Sequence, residues 1–316
     1  MRPFRGEDDY DRIRAFLRKV FIANGRREHS WSVARLEYWR WHVTAVVPGA
    51  LPLERAVYLR EQDDEVIAVV NTEGRGEAYL QIHPDHRSLA LEAEMIEVAE
   101  EYFAATVDGV SRLAVWAHDE DGLRTGLLEQ LGYAPAQGFV QQNRTELSEP
   151  FPDPPETPGF TVRPLFGPEE LPARSWASWR AFHPDAPDAD YEGFDWYAQN
   201  IQRQPLYRRD LDLVAATNDG TIASFATVWY DDVTRSAYFE PVGTDPGFQR
   251  RGLARALLAE GLRRAHQLGA RTASVHGGTS PANALYAAAG FADFDSIRPW
   301  RREWPDPGSR SGSAAG

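Results

Sequence analysis

The sequence predicts an α/β protein in which one fold occurs twice, in two domains joined by a short linker. Three observations support this prediction. The chain has 316 residues, more than the ~100 to 200 residues of a typical single domain. Residues 148–159, SEPFPDPPETPG, are rich in proline and have no helix or strand period, which is typical of an extended linker. Short motifs on the two sides of this linker repeat in the same order.

The repeated motifs occur at nearly constant separation. They are Arg2-Pro3 with Arg163-Pro164, Pro84 with Pro246, and Gly132-Tyr133 with Gly290-Phe291. The separations are 161, 162 and 158 positions. One dipeptide alone means little, but the shared order and spacing indicate a duplication. We therefore predict a first domain at 1–147, a linker at 148–159, a second domain at 160–304 and a disordered tail at 305–316.

The second half of the chain has a strand-rich pattern followed by alternating helices and strands. Apolar runs bounded by turn residues predict strands at about 160–164, 211–217, 222–230, 234–244, 271–276 and 291–302. Helical spacing predicts helices up to about residue 203, then at 251–268 and 281–289. This order indicates an α/β fold with a mixed sheet.

Composition excludes several classes of function. The formal net charge of −13 argues against general affinity for nucleic acid or anionic membranes, and it suits a small cationic or amine substrate. The absence of cysteine excludes disulfides, thiolate zinc sites and cysteine nucleophiles. No signal peptide or run of ~20 apolar residues is present, so we predict a cytoplasmic protein. The acidic loop around His183 is too irregular to indicate a metal site.

The segment from Val242 to Leu258, VGTDPGFQRRGLARALL, carries the clearest chemical signal. A strand runs into a tight turn, and arginines and a glycine then open a long amphipathic helix. The first N–H groups of a helix have no intrahelical partners and lie at the positive end of its dipole, so they bind anions. The arginines add positive charge. The tripeptide Arg250-Arg251-Gly252 alone fits an ordinary strand-to-helix turn with solvated arginines equally well.

The wider pattern resembles the GNAT superfamily of acetyl-CoA-dependent N-acetyltransferases. The segment from Gln249 to Ala254, QRRGLA, matches every fixed position of the family's pyrophosphate loop, Q/R-x-x-G-x-G/A. The resemblance implies that the backbone near this loop holds the pyrophosphate of acetyl-CoA and that the preceding strand pairs with the pantetheine arm. The residues it implicates are Val242, Thr244, Gln249, Arg250, Arg251, Gly252, Leu253, Ala254 and Arg255.

A second family motif lies downstream, in Asn283 to Phe291, NALYAAAGF. One helix and one strand fit between the two motifs, as the GNAT fold requires. The resemblance implies that Asn283 contacts the cofactor and that Tyr286 donates a proton to the departing CoA thiolate. The alternative for Tyr286 is a core tyrosine on an alanine-rich helix.

The first half lacks the equivalents of these residues. Applying the repeat separations pairs Gly252 with Ala90, Ala254 with Glu92, Asn283 with Thr125 and Tyr286 with Leu128. The glycine is lost, and a carboxylate stands where a pyrophosphate would bind. We therefore predict two tandem GNAT folds, each a mixed, mostly antiparallel sheet flanked by helices, with a degenerate first copy and a catalytic second copy.

Amine acetylation also needs a base, because the attacking nitrogen must be unprotonated. Glu240, on the strand that leads into the loop, is our candidate; it shares a face with Val242 and Thr244 if the strand alternates. An ion pair at the surface is the alternative explanation for Glu240, and the alternative candidate for the base is His276. Aromatic residues from Trp176 to Trp196 are mostly expected in the core.

The resemblance implies an acetyl-CoA-dependent N-acetyltransferase that acts on the amine of a small molecule, with a carboxylate or water-mediated base and a tyrosine acid. The alternative is a protein that binds acetyl-CoA without turnover, as a sensor or scaffold. The acceptor and the oligomeric state cannot be read from the sequence.

Overall fold

The computed structural model describes residues 1–46, 49–149, 151, 154–193, 195 and 197–306. The chain forms two compact units, one made of residues 1–140 and the chain from Asp295 on, the other of residues 141–294. The predicted tail falls outside the described residues from position 307 on, and so do positions 150, 152 and 153 of the predicted linker.

In the second half of the chain, the helices and strands follow the predicted order. The strands are β1 Arg2–Pro3, β2 Val57–Gln62, β3 Glu65–Asn71, β4 Glu77–Ile82, β5 Ala105–Val107, β6 Val110–His118, β7 Ala134–Pro135, β8 Val140–Glu146, β9 Thr161–Pro164, β10 Asp212–Ala216, β11 Ile222–Asp231, β12 Ser236–Thr244, β13 Thr272–Gly277 and β14 Ala292–Pro305. The helices are α1 Glu7–Ala23, α2 Val33–Tyr38, α3 Thr44–Val46, α4 Leu53–Ala56, α5 Leu89–Tyr102, α6 Gly122–Gln130, α7 Leu171–Phe182, α8 Leu253–Gln267 and α9 Ser280–Ala288.

The first unit is a mixed sheet with the strand order β1-β2-β3-β4-β6-β14. β4 and β6 run parallel, and the other pairs of this series are antiparallel. Two clusters of buried side chains pack against it. Met95 and Phe103 of the α5 region belong to one cluster, and Leu17 and Trp39 belong to the other.

The second unit has the order β8-β13-β12-β11-β10-β9. Here β12 and β13 run parallel, and the remaining neighbours are antiparallel. Helix α8 packs on this sheet through a stripe of buried residues that includes Leu253, Leu257 and Leu262, as its helical spacing predicts. Phe239 of β12 lies in the same core.

The two compact units differ from the predicted domains at their ends. β8 lies within the predicted first domain, yet residues 141–146 pair with β13 of the second unit. β14 closes the predicted second domain, yet Ile297–Pro305 pair with β6 of the first unit. The alternation of a strand shows which face is buried but carries no information about its partner, so sequence patterns alone could not give this exchange.

The duplication is visible in one set of local contacts that both units share, an arginine paired with a carboxylate that also accepts a backbone hydrogen bond. In the first unit, the Arg2 guanidinium donates to both oxygens of Asp9 at 2.6 and 2.7 Å, and the Arg5 N–H donates to Asp9 Oδ2 at 2.8 Å. In the second unit, Arg163 donates to both oxygens of Glu170 at 2.9 and 2.6 Å, and the Phe166 N–H donates to Glu170 Oε2 at 2.7 Å. Each partner is displaced by 161 positions, the separation predicted from the Arg-Pro motif.

The predicted helices through the tryptophan-rich stretch are interrupted. α7 ends at Phe182, and the described residues beyond it include short helical turns at 188–190 and 197–201. Pro184 and Pro187 explain the interruption, because a proline lacks the N–H group needed in a helix interior and disfavours helical backbone in the residue before it.

Candidate active site

The turn between β12 and α8 is shaped by its own backbone contacts. Asp245 caps a single turn of 3₁₀ helix at Pro246–Phe248, where its Oδ1 accepts a hydrogen bond from the Gly247 N–H at 2.8 Å. Gly252, at the N-cap of α8, has φ of 78°, in the left-handed region that favours glycine. A Cβ at Gly252 would meet no atom within 4 Å, so this backbone is open to a ligand.

The start of α8 offers a run of free amide groups. In the described part of the chain, the backbone N–H groups of residues 249–255 donate no hydrogen bond. The first amide with an acceptor is that of Ala256, which donates to the Gly252 carbonyl at 3.0 Å. Such N–H groups at the positive end of a helix form an anion-binding site.

The arginines around this turn supply free positive charge. Arg250, Arg251 and Arg255 are exposed, and within the described ranges none forms an ion pair with a carboxylate. By contrast, Arg263 and Arg264 later on the same helix both pair with Glu260, at 2.7 and 2.6 Å. The unpaired arginines therefore lie at the turn with the free amides.

Three other predicted loop residues differ in their exposure. Gln249 is exposed, whereas the Leu253 side chain is buried in the core beneath α8. Leu253 therefore offers a ligand its backbone N–H group alone. Ala254, in the first turn of the helix, is half-buried.

β12 and β13 separate as they approach this turn. They pair in parallel only over Ser236–Phe239 and Thr272–Val275. Beyond Phe239, β12 continues to Thr244 against β11, while β13 continues to Gly277 against β8. Val242 and Thr244 both lie on the separated part of β12. An extended ligand can add to a strand edge of this kind through main-chain hydrogen bonds.

Tyr286 is buried on α9, with 7% of its surface exposed. Its ring meets Phe291 edge to face, with centroids 6.3 Å apart. Burial, and secondly the negative charge of Glu240, raise the pKa of Tyr286 above the ordinary 10.0. The hydroxyl therefore keeps its proton at neutral pH, as a proton donor must. Among the described residues it has no hydrogen-bond partner.

Glu240 is half-buried, and Tyr238 links it to His276. The Tyr238 hydroxyl lies 3.4 Å from Glu240 Oε2 and 3.2 Å from His276 Nδ1. The two candidate bases thus contact the same buried tyrosine. Tyr238 was not predicted as a site residue, although its position two residues before Glu240 on a strand places both on one face.

The predicted shared face of Glu240, Val242 and Thr244 is wrong for Val242. The register of β12 against β11 shifts between Phe239 and Val242, where β12 has one residue more than its partner. Phe239 and Val242 both pack against the core cluster beneath α8. Glu240 lies in the irregular stretch between them, so simple alternation fails there.

Helix α7 carries an aromatic cluster. Trp176 and Trp179 stack at 5.4 Å, and the Tyr191 ring lies 5.1 and 5.6 Å from them. Both tryptophans are half-buried. Phe182 was expected on the same buried stripe but is 53% exposed, because it is the last residue of the helix. His183 is exposed, and no group of residues in the described ranges has the arrangement of a metal site.

The first unit differs from the second at the corresponding helix start. The N-cap of α5 is Ser88, whose hydroxyl accepts a hydrogen bond from the Leu91 N–H at 3.2 Å. The N-caps Ser88 and Gly252 are 164 positions apart, two more than Pro84 and Pro246. The first loop is therefore two residues shorter. This corrects the predicted pairing of Gly252 with Ala90 and of Ala254 with Glu92 by two positions.

The carboxylate of Glu92 is neutralised inside the first unit. Glu92 is fully buried and bonds Arg87 at 2.5 Å and Arg124 at 2.8 Å. Arg87 also pairs with Asp121 at 2.5 Å. Burial opposes ionisation of Asp121, but Arg124 and Arg87 outweigh it, and the pKa of Asp121 is lowered. The arginines nearest α5 are thus already paired with internal carboxylates.

The other two positions of the first unit are also altered. α6 and α9 begin and end 158 positions apart, which keeps Leu128 opposite Tyr286 and Thr125 opposite Asn283. Leu128 is fully buried in the core, and the Thr125 hydroxyl donates to the Asp121 carbonyl at 2.9 Å. Leu128 carries no proton donor.

We expect Arg124→Met to lower the free energy of unfolding by about 3 kcal/mol, because it leaves Glu92 buried with one cation fewer. Urea unfolding of the full chain measures this. Arg60→Met is the control, since Arg60 makes an ion pair with Glu94 at 3.1 Å but its side chain is 47% exposed. Its effect should stay below about 1 kcal/mol. Equal losses in the two variants would contradict a stabilising role for the Glu92 network.

Comparison with known proteins finds a family match in the second unit. Residues 171–291 match the model of the acetyltransferase (GNAT) family. The chain therefore carries a GNAT acetyltransferase domain, and the prediction of an N-acetyltransferase enzyme is confirmed. Two mycothiol acetyltransferases are similar to it. That of Saccharomonospora viridis is 23% identical over 249 residues, covering 73% of this chain and 78% of the relative. That of Kineococcus radiotolerans is 27% identical over 249 residues, covering 74% and 78%.

Solved structures confirm the predicted tandem fold. A GCN5-related N-acetyltransferase from Sphaerobacter thermophilus superposes with a TM-score of 0.65 at 20% identity, covering 96% of this chain and 94% of its own. A tandem GNAT protein from the clavulanic acid biosynthesis pathway gives 0.63 at 15% identity, covering 96% and 97%. At these identities the likeness concerns the fold.

In the described ranges, no helix has both the length and the apolar character needed to cross a bilayer. The cytoplasmic location stays a prediction.

Proposed function

We propose that this chain is an acetyl-CoA-dependent N-acetyltransferase that acts on the amine of a small molecule. The observation that carries the proposal is the start of α8. Among the described residues, the N–H groups of residues 249–255 have no acceptor, and the guanidinium groups of Arg250, Arg251 and Arg255 pair with no carboxylate. Oriented amides with unpaired cations suit a diphosphate.

Three parts of the second unit suit two parts of acetyl-CoA, its diphosphate and its pantetheine arm. The amides from about Arg250 to Arg255 would hold the diphosphate, the separated stretch of β12 with Val242 and Thr244 would pair with the pantetheine arm, and Asn283 would contact that arm. When bound, acetyl-CoA supplies an acetyl group activated as a thioester. Glycine at position 252 leaves the backbone accessible, which fits a close approach by the diphosphate.

Glu240 is our candidate for the base. The amine substrate arrives largely as an ammonium ion, so its nitrogen must lose a proton before it attacks. Glu240 takes up this proton directly or through water. Tyr238 donates a hydrogen bond to the carboxylate, which orients it, and the same hydroxyl lies 3.2 Å from His276 Nδ1.

Tyr286 is our candidate for the acid. Its raised pKa keeps the hydroxyl protonated over the physiological range, and the hydroxyl is free to donate. It supplies a proton to the sulfur of the departing CoA thiolate. The negative charge of Glu240 contributes, after burial, to the raised pKa of Tyr286, which fits a site shared by the two side chains.

The first unit is a degenerate copy in this proposal. Its helix start is capped by Ser88, its loop is two residues shorter, and its nearby arginines are paired with Glu92 and Asp121. Arg87 and Arg124 are therefore not available to bind a second diphosphate at α5. The expected stoichiometry is one acetyl-CoA per chain.

The acceptor is a small-molecule amine. The similarity to two mycothiol acetyltransferases makes the acceptor of those enzymes the first candidate. Aminoglycosides and other small amines form the second group, because the acidic chain, with net charge −13, suits cationic acceptors in general.

Two measurements on the full chain test the proposal. Calorimetry should show one binding site for CoA, and thiol release from acetyl-CoA should rise above hydrolysis with at least one amine of a panel. Binding without any acceptor-dependent release would favour the sensor or scaffold function instead. No uptake of CoA, or uptake abolished by changes at Ser88 and Glu92 but not at Gly252, would refute it.

A further inference from the structure

Asn143 is a buried residue of β8 that contacts the predicted cofactor-binding residue Asn283. Its side chain is 1% exposed. Asn143 Nδ2 lies 3.1 Å from Asn283 Oδ1, 3.5 Å from the Val275 carbonyl oxygen and 3.4 Å from the Gln141 carbonyl oxygen. β8 precedes the linker in the sequence, and no motif of the second half contains it.

The two backbone carbonyls determine the orientation of both amides. A carbonyl oxygen only accepts hydrogen bonds, so the Asn143 atom that faces Val275 and Gln141 must be its NH₂ group. The same NH₂ group faces Asn283, which must therefore present its oxygen to Asn143. The NH₂ group of Asn283 is thereby directed away from Asn143.

The contact is tight because residue 277 is a glycine. A Cβ at Gly277 would lie 1.8 Å from Asn283 Oδ1 and 3.3 Å from Asn143 Nδ2. Gly277 is the last residue of β13, where that strand has already separated from β12. The oxygen of Asn283 is thus enclosed by Gly277 and Asn143, which leaves its NH₂ group as the part that a ligand can meet.

We propose that Asn143 is a positioning residue that fixes Asn283 as a hydrogen-bond donor to the pantetheine arm of acetyl-CoA. This inference rests on the proposed function. Asn283 and Tyr286 are three residues apart on α9, so they lie on one side of the helix. Asn283 therefore faces the part of the ligand near the thioester, which is the arm, and the nucleotide end lies at α8. The arm contains amide carbonyls that accept such a bond.

The test uses the full chain and two ligands, CoA and adenosine 3′,5′-bisphosphate, which has the nucleotide end without the arm. Asn143→Asp replaces the donor by acceptors, so Asn283 rotates and presents its oxygen to the ligand. We expect about tenfold weaker CoA binding, the effect of one lost hydrogen bond. Asn143→Leu removes the hydrogen bond that orients the Asn283 amide but does not favour the opposite orientation. The loss of CoA affinity should therefore be smaller than in Asn143→Asp. Thr145→Val, on the same face of β8, is the matched control.

Affinity for adenosine 3′,5′-bisphosphate should stay within about twofold of the wild type in every variant, which also shows that the site is folded. In an Asn283→Ala background, Asn143→Leu should cause no further loss of CoA affinity, because the two residues act as one unit. Any of three outcomes would overturn the inference. They are equal loss of affinity for both ligands, unchanged CoA affinity in Asn143→Asp, and a full additional loss of CoA affinity in the double variant. Failure of the wild type to bind either ligand would instead refute the proposed function.

Discussion

Tyr286→Phe is expected to lower kcat by about 10² or more, the typical contribution of a positioned general acid. The change removes one hydroxyl, which has no hydrogen-bond partner among the described residues, and leaves the buried ring in contact with Phe291. The affinity for CoA should therefore change little. Steady-state thiol release measures kcat, and calorimetry measures the binding constant.

The pH dependence provides a second criterion for Tyr286. Burial and the charge of Glu240 hold its pKa above 10.0, so the acid form persists throughout the neutral range. In the wild type, kcat should therefore show no decline assignable to Tyr286 between about pH 7 and 9.

The control for Tyr286→Phe is Leu285→Met, a conservative change at the preceding position of α9. An unchanged kcat in Tyr286→Phe would remove this residue from the mechanism.

Sequence alone predicted the local elements that carry the site. The QRRGLA segment predicted a strand, a tight turn and a helix start, and the structure has Gly252 in the left-handed region at the N-cap of α8. These features depend on residues adjacent in the chain, because the positive φ needs glycine and the helix needs its apolar stripe. The Arg-Pro repeat predicted the duplication, and the structure adds an ion pair at each copy, Arg2 with Asp9 and Arg163 with Glu170.

Features that depend on distant residues were not predictable in the same way. The exchange of β8 and β14 between the units depends on partner choice, which strand patterns do not encode. The face of Glu240 depends on a register shift against β11. Asn143 was missed because its role exists only through its contact with Asn283, 140 positions later. Covariation between those two positions is the kind of signal that would find it.

The two copies show how one fold keeps or loses an anion site. At the start of α8, no carboxylate of the described residues pairs with the free amides or with Arg250, Arg251 and Arg255. At α5 a serine hydroxyl caps the helix, and buried Glu92 takes the positive charge of Arg87 and Arg124. A helix start thus becomes unavailable to a diphosphate when the protein supplies its own acceptors. Placing a carboxylate at the start of α8 should have the same consequence there.

Ala254→Glu is therefore expected to weaken CoA binding by at least about 100-fold. Ala254 lies in the first turn of α8 and is half-buried. A carboxylate about 4 Å from a diphosphate costs about 4 kcal/mol at the effective dielectric constant of a protein surface. The same carboxylate at a helix N-terminus favours the folded helix by about 0.5 kcal/mol, so stability should not fall through this effect.

Ala254→Gln is the matched control, because it has the size and shape of the glutamate without the charge. We expect it to reduce CoA affinity by less than about tenfold, through crowding alone. Calorimetry with CoA and thermal unfolding without ligand separate binding from stability. Because charge repulsion is screened by salt, the gap between the two variants should narrow as ionic strength rises. Similar affinities for Ala254→Glu and Ala254→Gln at low salt would mean that the diphosphate does not bind at the start of α8.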